Sequence, residues 1–379
     1  MVKQGYKQTE VGVIPENWNC IAAKYLMKIE TGSRNTEHKT DTGKYPFFVR
    51  SQKVERIDTY HYDCEAVLTA GDGVGTGKVF HHYIGKFDAH QRVYVMSNFN
   101  GITGRYFYNY FSENFGSEVS KYTAKSSVDS VRRDMIAEMV IPLPTLTEQK
   151  RIAEALSDVD SMLSSLEKLI EKKKAVKQGA MQELLTGKKR LLGFTGEWTI
   201  NCIDDIATIM DNCRIPVKES DREKMAGTIP YCGANGIVGY VNDYTIDDEI
   251  ILIAEDGGYF DEYATRPIAY KMSGKCWVNN HAHILKSKSN TDQNYLFYCL
   301  VHKDIRDFIS SGTRSKLNKA DLLKITIKLP LCLAEQIAIA SILSDMDNEI
   351  EALEQKLVKT RQIKQGMMQQ LLTGKIRLM

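Results

Sequence analysis

Gln178-Gly-Ala-Met-Gln-Glu-Leu-Leu-Thr-Gly-Lys-Lys-Arg-Leu191 returns near the end of the chain as Gln365-Gly-Met-Met-Gln-Gln-Leu-Leu-Thr-Gly-Lys-Ile-Arg-Leu378. Working outward, the match extends over Glu148–Leu191 and Glu335–Leu378, every residue displaced by 187 positions and roughly half of the aligned residues identical. A period this long lies outside the roughly 20–50 residues of stacked solenoid repeats and points to two copies of a whole domain plus helix. Polar residues have been kept along with the apolar ones.

Inside each copy the apolar side chains fall alternately three and four residues apart. They are Ile152, Leu156, Val159, Leu163, Leu166 and Ile170 in the first, and Ile339, Leu343, Met346, Ile350, Leu353 and Leu357 in the second. That is a heptad seam. It loosens where Lys173 and Lys177, or Thr360 and Lys364, enter it, and resumes at Leu184 and Leu371. Prolines in Ile141–Pro144 and Lys328–Pro330 exclude helix and set each start, with Thr147 a candidate cap. Gly187 and Gly374 suit a left-handed stop. Each helix then spans about 38 residues, on the order of 57 Å. Packing of each helix on its own globular block is the alternative. Duplication of the same seam favours an antiparallel coiled coil that holds two blocks apart.

The blocks, residues 1–143 and 192–330, are themselves distantly related. Trp18 before Cys20 and Ile21 matches Trp198 before Cys202 and Ile203, Pro46 matches Pro230, and Ala70-Gly71-Asp72-Gly73 matches Ala254-Glu255-Asp256-Gly257. Short β-branched and aromatic runs, such as Ala66–Thr69, Arg92–Met96, Glu249–Ala254 and His283–Leu285, are separated by Gly, Asn and Asp. Helical tails follow at Gly104–Phe115 and Asn294–Ile309. The fold class is therefore α+β: a two-fold internal repeat of a sheet-rich domain followed by a long helix. The helices occupy residues 144–191 and 331–379.

At 379 residues, each block can hold its own core. No run of about 20 apolar residues exists, and the polar start at Met1–Glu10 is unlike a signal peptide, so the expectation is a soluble cytoplasmic protein with no membrane contact. Eight cysteines without a CxxC pair suit reduced thiols. Net charge is +2 for residues 1–143, +3 for 144–191, −3 for 192–330 and 0 for 331–379. No segment is basic enough to neutralise many phosphates alone, so either DNA is not a ligand or a partner supplies most of the backbone contacts.

Enzyme motifs are missing. Gly71–Lys78 has the look of a phosphate loop, but Asp72 stands where its first glycine belongs and Val79 where Ser or Thr should follow the lysine; a tight strand-to-strand turn fits better. There is no Asn-Pro-Pro-Tyr loop, methyl-donor loop or helicase motif. His281-x-His283 lacks a convergent third metal ligand in the sequence. No catalytic residue and no metal site is expected.

Leu143–Asp160, its partner Leu329–Asp347, the paired Leu-Leu-Thr-Gly-Lys ends and the Gly193–Trp198 opening of the second block resemble the specificity subunit of type I restriction-modification systems, over the whole chain. The resemblance implies two target-recognition domains, each reading one half of a split, asymmetric site in double-stranded DNA. Helices fix the unread gap. It further implies recruitment of two modification subunits that methylate adenine, and of restriction subunits in the full complex. This chain would bind no cofactor itself, with S-adenosylmethionine, ATP and Mg on the partners. A coiled-coil scaffold without DNA recognition is the competing reading.

Base reading needs donors and acceptors on loops: Arg toward guanine, Asn or Gln toward adenine. The first block offers Arg34, Arg50, Gln52, Lys78, Gln91 and Arg92; the second offers Arg214, Asn235, Tyr259, Asn279, Asn280 and His281. Lys121, Lys125, Arg314 and Lys316 are candidate phosphate contacts.

Overall fold

The computed structural model describes residues 2–123, 130–310 and 315–379. The chain forms two compact units: Met1–Glu167 with Gln355–Met379, and Lys168–Glu354. Each unit therefore takes the start of one long helix and the end of the other.

In the first unit a six-stranded sheet has the order Lys28–Thr31, Val93–Ser97, Tyr62–Ala70, Phe80–Ala89, Tyr45–Phe48, Glu55–Ile57. All neighbours are antiparallel except Tyr45–Phe48 against Phe80–Ala89. The second unit repeats this topology with the long strand broken. Its first sheet runs Ala207–Ile209, Ala282–Ser287, Ile250–Ala254, Ala269–Met272; its second runs Gly236–Val241, Ala226–Gly233, Lys275–Val278, Ile246–Asp247. Phe80–Ala89 passes Gly85 at φ +126 without interruption, whereas Gly274 at φ +75 turns the chain between Ala269–Met272 and Lys275–Val278. One continuous sheet becomes two.

Both blocks close in the same way. Asn19–Ala22 pairs with Val140–Leu143, and Trp198–Cys202 with Thr326–Pro330, so the proline-bearing stretches are strands that lead directly into the long helices. The sheet of each block is backed by a helix, Gly104–Thr123 in one and Gln293–Leu300 in the other. The first is longer than the sequence pattern indicates and the second shorter, ending where Lys303 turns back on Leu300.

The long helices are Leu146–Leu184 and Leu333–Leu371, 39 residues each. Thr145, not Thr147, caps the first: its Oγ1 accepts from the Glu148 N–H at 3.3 Å, because the helix begins two residues earlier than the proline pattern suggests. Gly187 and Gly374 both stop their helices at φ +69. Every one of the twelve seam residues is buried or half-buried. Their partners change along the helix. Ile152 and Leu156 pack with Tyr106 and Phe107 in the first core, beside Met368, Leu371 and Leu372 from the end of the other helix. Ile339 and Leu343 pack with Tyr295 and Leu296 in the second core, beside Leu184. The first turns of each helix thus dock on their own block, which the seam alone does not reveal.

Beyond those turns, ion pairs link the helices in antiparallel order. Asp160 meets Lys364 and Glu167 meets Arg361 in the first unit; Lys177 meets Asp347 and Lys174 meets Glu354 in the second. These four are two repeat-related sets, residue for residue, and Lys177 and Lys364, which interrupt the seam, are among them. Buried Thr360 donates to the Lys356 carbonyl at 2.8 Å, which satisfies its hydroxyl inside the helix. Among the described residues no helix is long and apolar enough to cross a membrane, and all eight cysteines are free thiols.

Candidate nucleic-acid interface

Two dipeptides fix each block to its helices before any loop is considered. Glu148, 2% exposed, takes a bidentate pair from Arg377 (2.5 and 2.7 Å) and a bond from Trp18 Nε1 at 3.1 Å. Glu335, 0% exposed, takes the same bidentate pair from Arg190 (2.6 and 2.7 Å). Each guanidinium also lies over the indole of its block, Arg377 over Trp18 and Arg190 over Trp198. Beside them, Gln149 accepts from Thr103 N–H and donates to the Pro144 and Gly101 carbonyls; Gln336 does the same to Asp292, Pro330 and Asn290. This is why the repeat has kept Glu-Gln at one end and Arg at the other: each is half of a buried contact that its copy must also make.

On this frame, the loops at the ends of the central strands converge. In the first block Asp72 follows Tyr62–Ala70 and gathers Arg50 (2.9 Å) and Arg92 (3.7 Å). Arg34 lies nearby, its Nε on buried Asp88 at 3.0 Å and its carbonyl accepting from Gln91 N–H at 2.8 Å. His90 is mostly buried, and that burial, followed by the Arg50 charge, lowers its pKa. Neutral, its Nδ1 accepts from Arg92 N–H at 3.0 Å. Gln52, Lys78, Gln91 and Arg92 are exposed. Gly116 and Val119 of Gly104–Thr123 approach Gly77, and Lys121, two residues further along the helix, pairs with Glu118 at 2.6 Å.

The second block has the same backbone bonds with different side chains. Asn279 N–H donates to the Cys232 carbonyl as His90 N–H does to Phe48, and the Asn279 side chain accepts from His281 N–H at 2.8 Å as His90 does from Arg92. Leu317 N–H reaches the Glu255 carbonyl at 2.7 Å as Val131 N–H reaches Gly71. Around this frame lies a charge network. Arg214 binds Glu255 and, at 3.2 Å, Asp211, and also donates to the Asn280 and Ala282 carbonyls. Buried His283 bonds Asp211 at 2.7 Å and the Leu317 carbonyl at 2.8 Å; Lys316 meets Glu255 at 2.9 Å; His281 meets Asp256 at 2.6 Å. Burial works against the Glu255 carboxylate, but bonds from Arg214 and Lys316 outweigh it and hold its pKa below the ordinary value. Asp211 is likewise held low against burial, chiefly by His283. The ligand-type atoms of Asp211, Glu255 and His283 lie within 4.8 Å of one another, yet Arg214 and Lys316 already balance their charge.

Of the remaining sequence candidates, exposed Asn235 donates to the Gly257 carbonyl at 2.9 Å, Asn280 is exposed beside buried Asn279, and Tyr259 carries Arg266 on its ring at 3.2 Å. Lys125 and Arg314 lie outside the described residues. Sequence reading missed Asp72, His90, Asp211, Glu255 and Asp256 as loop-organising groups, and weighed His283 only as a metal ligand. For Asp72, Glu255 and Asp256 the signal was present in the matched Ala70–Gly73 and Ala254–Gly257.

The sequence pattern of the type I restriction modification DNA specificity domain matches residues 15–178 and again 195–360. A Haemophilus influenzae protein named for the specificity subunit of a type I restriction enzyme is 39% identical over 144 residues, 38% of this chain and 35% of its own length. The type I restriction enzyme EcoDI specificity subunit of Escherichia coli is 23% identical over 84% of this chain and 79% of its own. The crystal structure of a type I restriction-modification S subunit from M. genitalium shares the fold, with a TM-score of 0.69, 18% identity, and coverage of 94% of this chain and 96% of that one.

Proposed function

Because the chain belongs to the type I restriction-modification DNA specificity family, with two copies of its domain, we propose that it reads a bipartite, asymmetric site in double-stranded DNA, one half with each block. The observation that carries this reading is the pair of loop clusters. Matching backbone bonds hold the loops that carry Arg34, Arg50, Gln91 and Arg92 in one block and Asn280, His281 and Lys316 in the other. Equal frames with unequal donors suit two different half-sites. Exposed Arg50 and Arg92 share one carboxylate, and a guanidinium has five N–H donors, so donors remain for guanine edges. Arg214, enclosed by Glu255 and Asp211, holds the loop rather than reads DNA.

The repeat-related clamps and helix pairs give two equivalent frames, which fit two copies of one partner. In this reading the partners are modification subunits that carry S-adenosylmethionine and methylate adenine, joined in the full complex by restriction subunits that use ATP and Mg. This chain has no catalytic step of its own. The near-neutral charge agrees, since partners would supply much of the grip on phosphates.

Methylome sequencing of a host that expresses this chain with its modification subunit tests the reading: a split motif with two unlike halves is expected, and methylation without sequence preference overturns it. Deleting one heptad from each helix, Ser164–Ile170 with Glu351–Leu357, keeps the seam in phase and shortens each helix by on the order of 10 Å. At ~3.4 Å per base pair the gap should shrink by up to about three base pairs with unchanged half-sites. A folded variant that keeps the original gap would show that the helices do not set it.

A further inference from the structure

Resting on that recognition reading, we propose that Val74 reads a thymine 5-methyl group in the half-site bound by the first block. Val74 is 95% exposed at the apex of the turn Gly73–Gly75, so its side chain gains nothing from folding.

The turn is held firmly from beneath. Gly71 N–H donates to the Arg92 carbonyl at 2.7 Å and Val131 N–H to the Gly71 carbonyl at 2.7 Å. Thr76 returns both its N–H (3.0 Å) and its hydroxyl (2.7 Å) to the Gly73 carbonyl, and Lys78 and Val79 both donate to Gly75 at 3.0 Å. Gly73 adopts φ +75, and a Cβ on Gly75 would lie 2.6 Å from the Arg50 carbonyl. A valine carried on such a turn is presented rather than left loose.

Its neighbours define what it meets. Val74 borders a cleft of ≈ 410 Å³ shared with Thr36, Val49, Arg50 and Asp72, and Arg92 reaches the same carboxylate. Of the two valines that line this cleft, Val49 is half-buried and Val74 alone stands almost fully in solvent among donors suited to base edges. In the major groove the thymine 5-methyl is the apolar feature that separates T from C, and apolar side chains are its partners. The second block has no counterpart: Gly257, at φ +64, matches Gly73, but the next residue is Gly258, where a Cβ would lie 2.6 Å from the Ala254 Cβ. This turn therefore carries an apolar side chain in the first block alone.

The test uses the complex with the modification subunit and duplexes carrying its methylated motif. Each thymine of the first half-site, on either strand, is replaced in turn by uracil, which removes only the methyl. At one thymine the replacement should weaken wild-type binding about fourfold, the loss of one buried methyl-sized group, while V74A should bind the two duplexes equally. V74A should melt as wild type does and keep the wild-type response to changes in the second half-site. If V74A retains wild-type discrimination between T and U at every position, or if the first half-site has no thymine, the assignment is wrong. A wild-type complex that shows no split motif overturns the recognition reading itself, and this proposal with it.

Discussion

Asp72 and Asp256 occupy matching turns of the two blocks, and their surroundings are opposite in character. Asp72 is one acid among Arg50 and Arg92, whereas Asp256 adjoins a network with two further carboxylates, Asp211 and Glu255. The backbone bonds beneath them are nonetheless the same: residue 71 or 255 receives from 131 or 317, and residue 90 or 279 donates to 48 or 232. Bonds between main-chain groups need no particular side chain, so the frame persists while the loop chemistry changes. The clamps behave otherwise. A buried glutamate needs its arginine in both copies, and both copies have it.

The largest effect should come from breaking that shared part. R377M leaves Glu148, and R190M leaves Glu335, as a buried carboxylate without its ion pair, a loss of about 3–5 kcal/mol in each unit. The two should not be equal. Trp18 Nε1 still donates to Glu148, while Trp198 Nε1 has no partner among the described residues, so R190M is expected to be the costlier change. Denaturant unfolding followed through the tryptophans measures both. Tolerance of either substitution at under 1 kcal/mol would mean that the clamp does not hold its unit together.

How much of this was legible in the sequence differs between frame and loops. The heptad seam, both helix stops and the sheet-rich blocks follow from local pattern, because each depends on residues within a few turns of one another. Glu148 and Arg377 are 229 residues apart, so the repeat can say only that both were kept, not that they meet. Arg214 was selected by residue type as a base reader; Asp211 lies three residues before it on the same turn, but Glu255 reaches it from beyond the end of Ile250–Ala254, 41 residues away. Val74 escaped notice because an apolar residue in a Gly-rich loop carries no signal until its exposure is known.

A smaller effect should separate the loops. R92A or R50A should relax one position of the first half-site by about 1–3 kcal/mol of discrimination and leave the second untouched; N280A or H281A should do the reverse. R214M, in contrast, should reduce binding at the whole second half-site by loosening its loop, without changing which base is preferred. Methylome comparison of these variants checks the division. One loop substitution that altered both halves would show that the blocks do not read independently.

The smallest expected effect concerns acid. The carboxyls of Asp211 and Glu255 titrate below their ordinary values of 3.8 and 4.5, held down against burial by His283 for the first and by Arg214 and Lys316 for the second. A carboxylate with a depressed folded pKa contributes stability that is fully present above its unfolded value and is lost as pH falls through the folded one. The second block should therefore hold its full stability above about pH 5 and weaken progressively below about pH 4.5. E255Q and D211N should each lower its melting temperature at neutral pH and flatten this acid slope, because the group that titrates is gone. The first block has Gly71 where the second has Glu255, so the same comparison in a variant of its loop should leave the slope of the second block unchanged. If E255Q melts with the wild-type dependence on pH, the Arg214 network does not bear on the stability of its block, and the contrast between the two loops is one of composition alone.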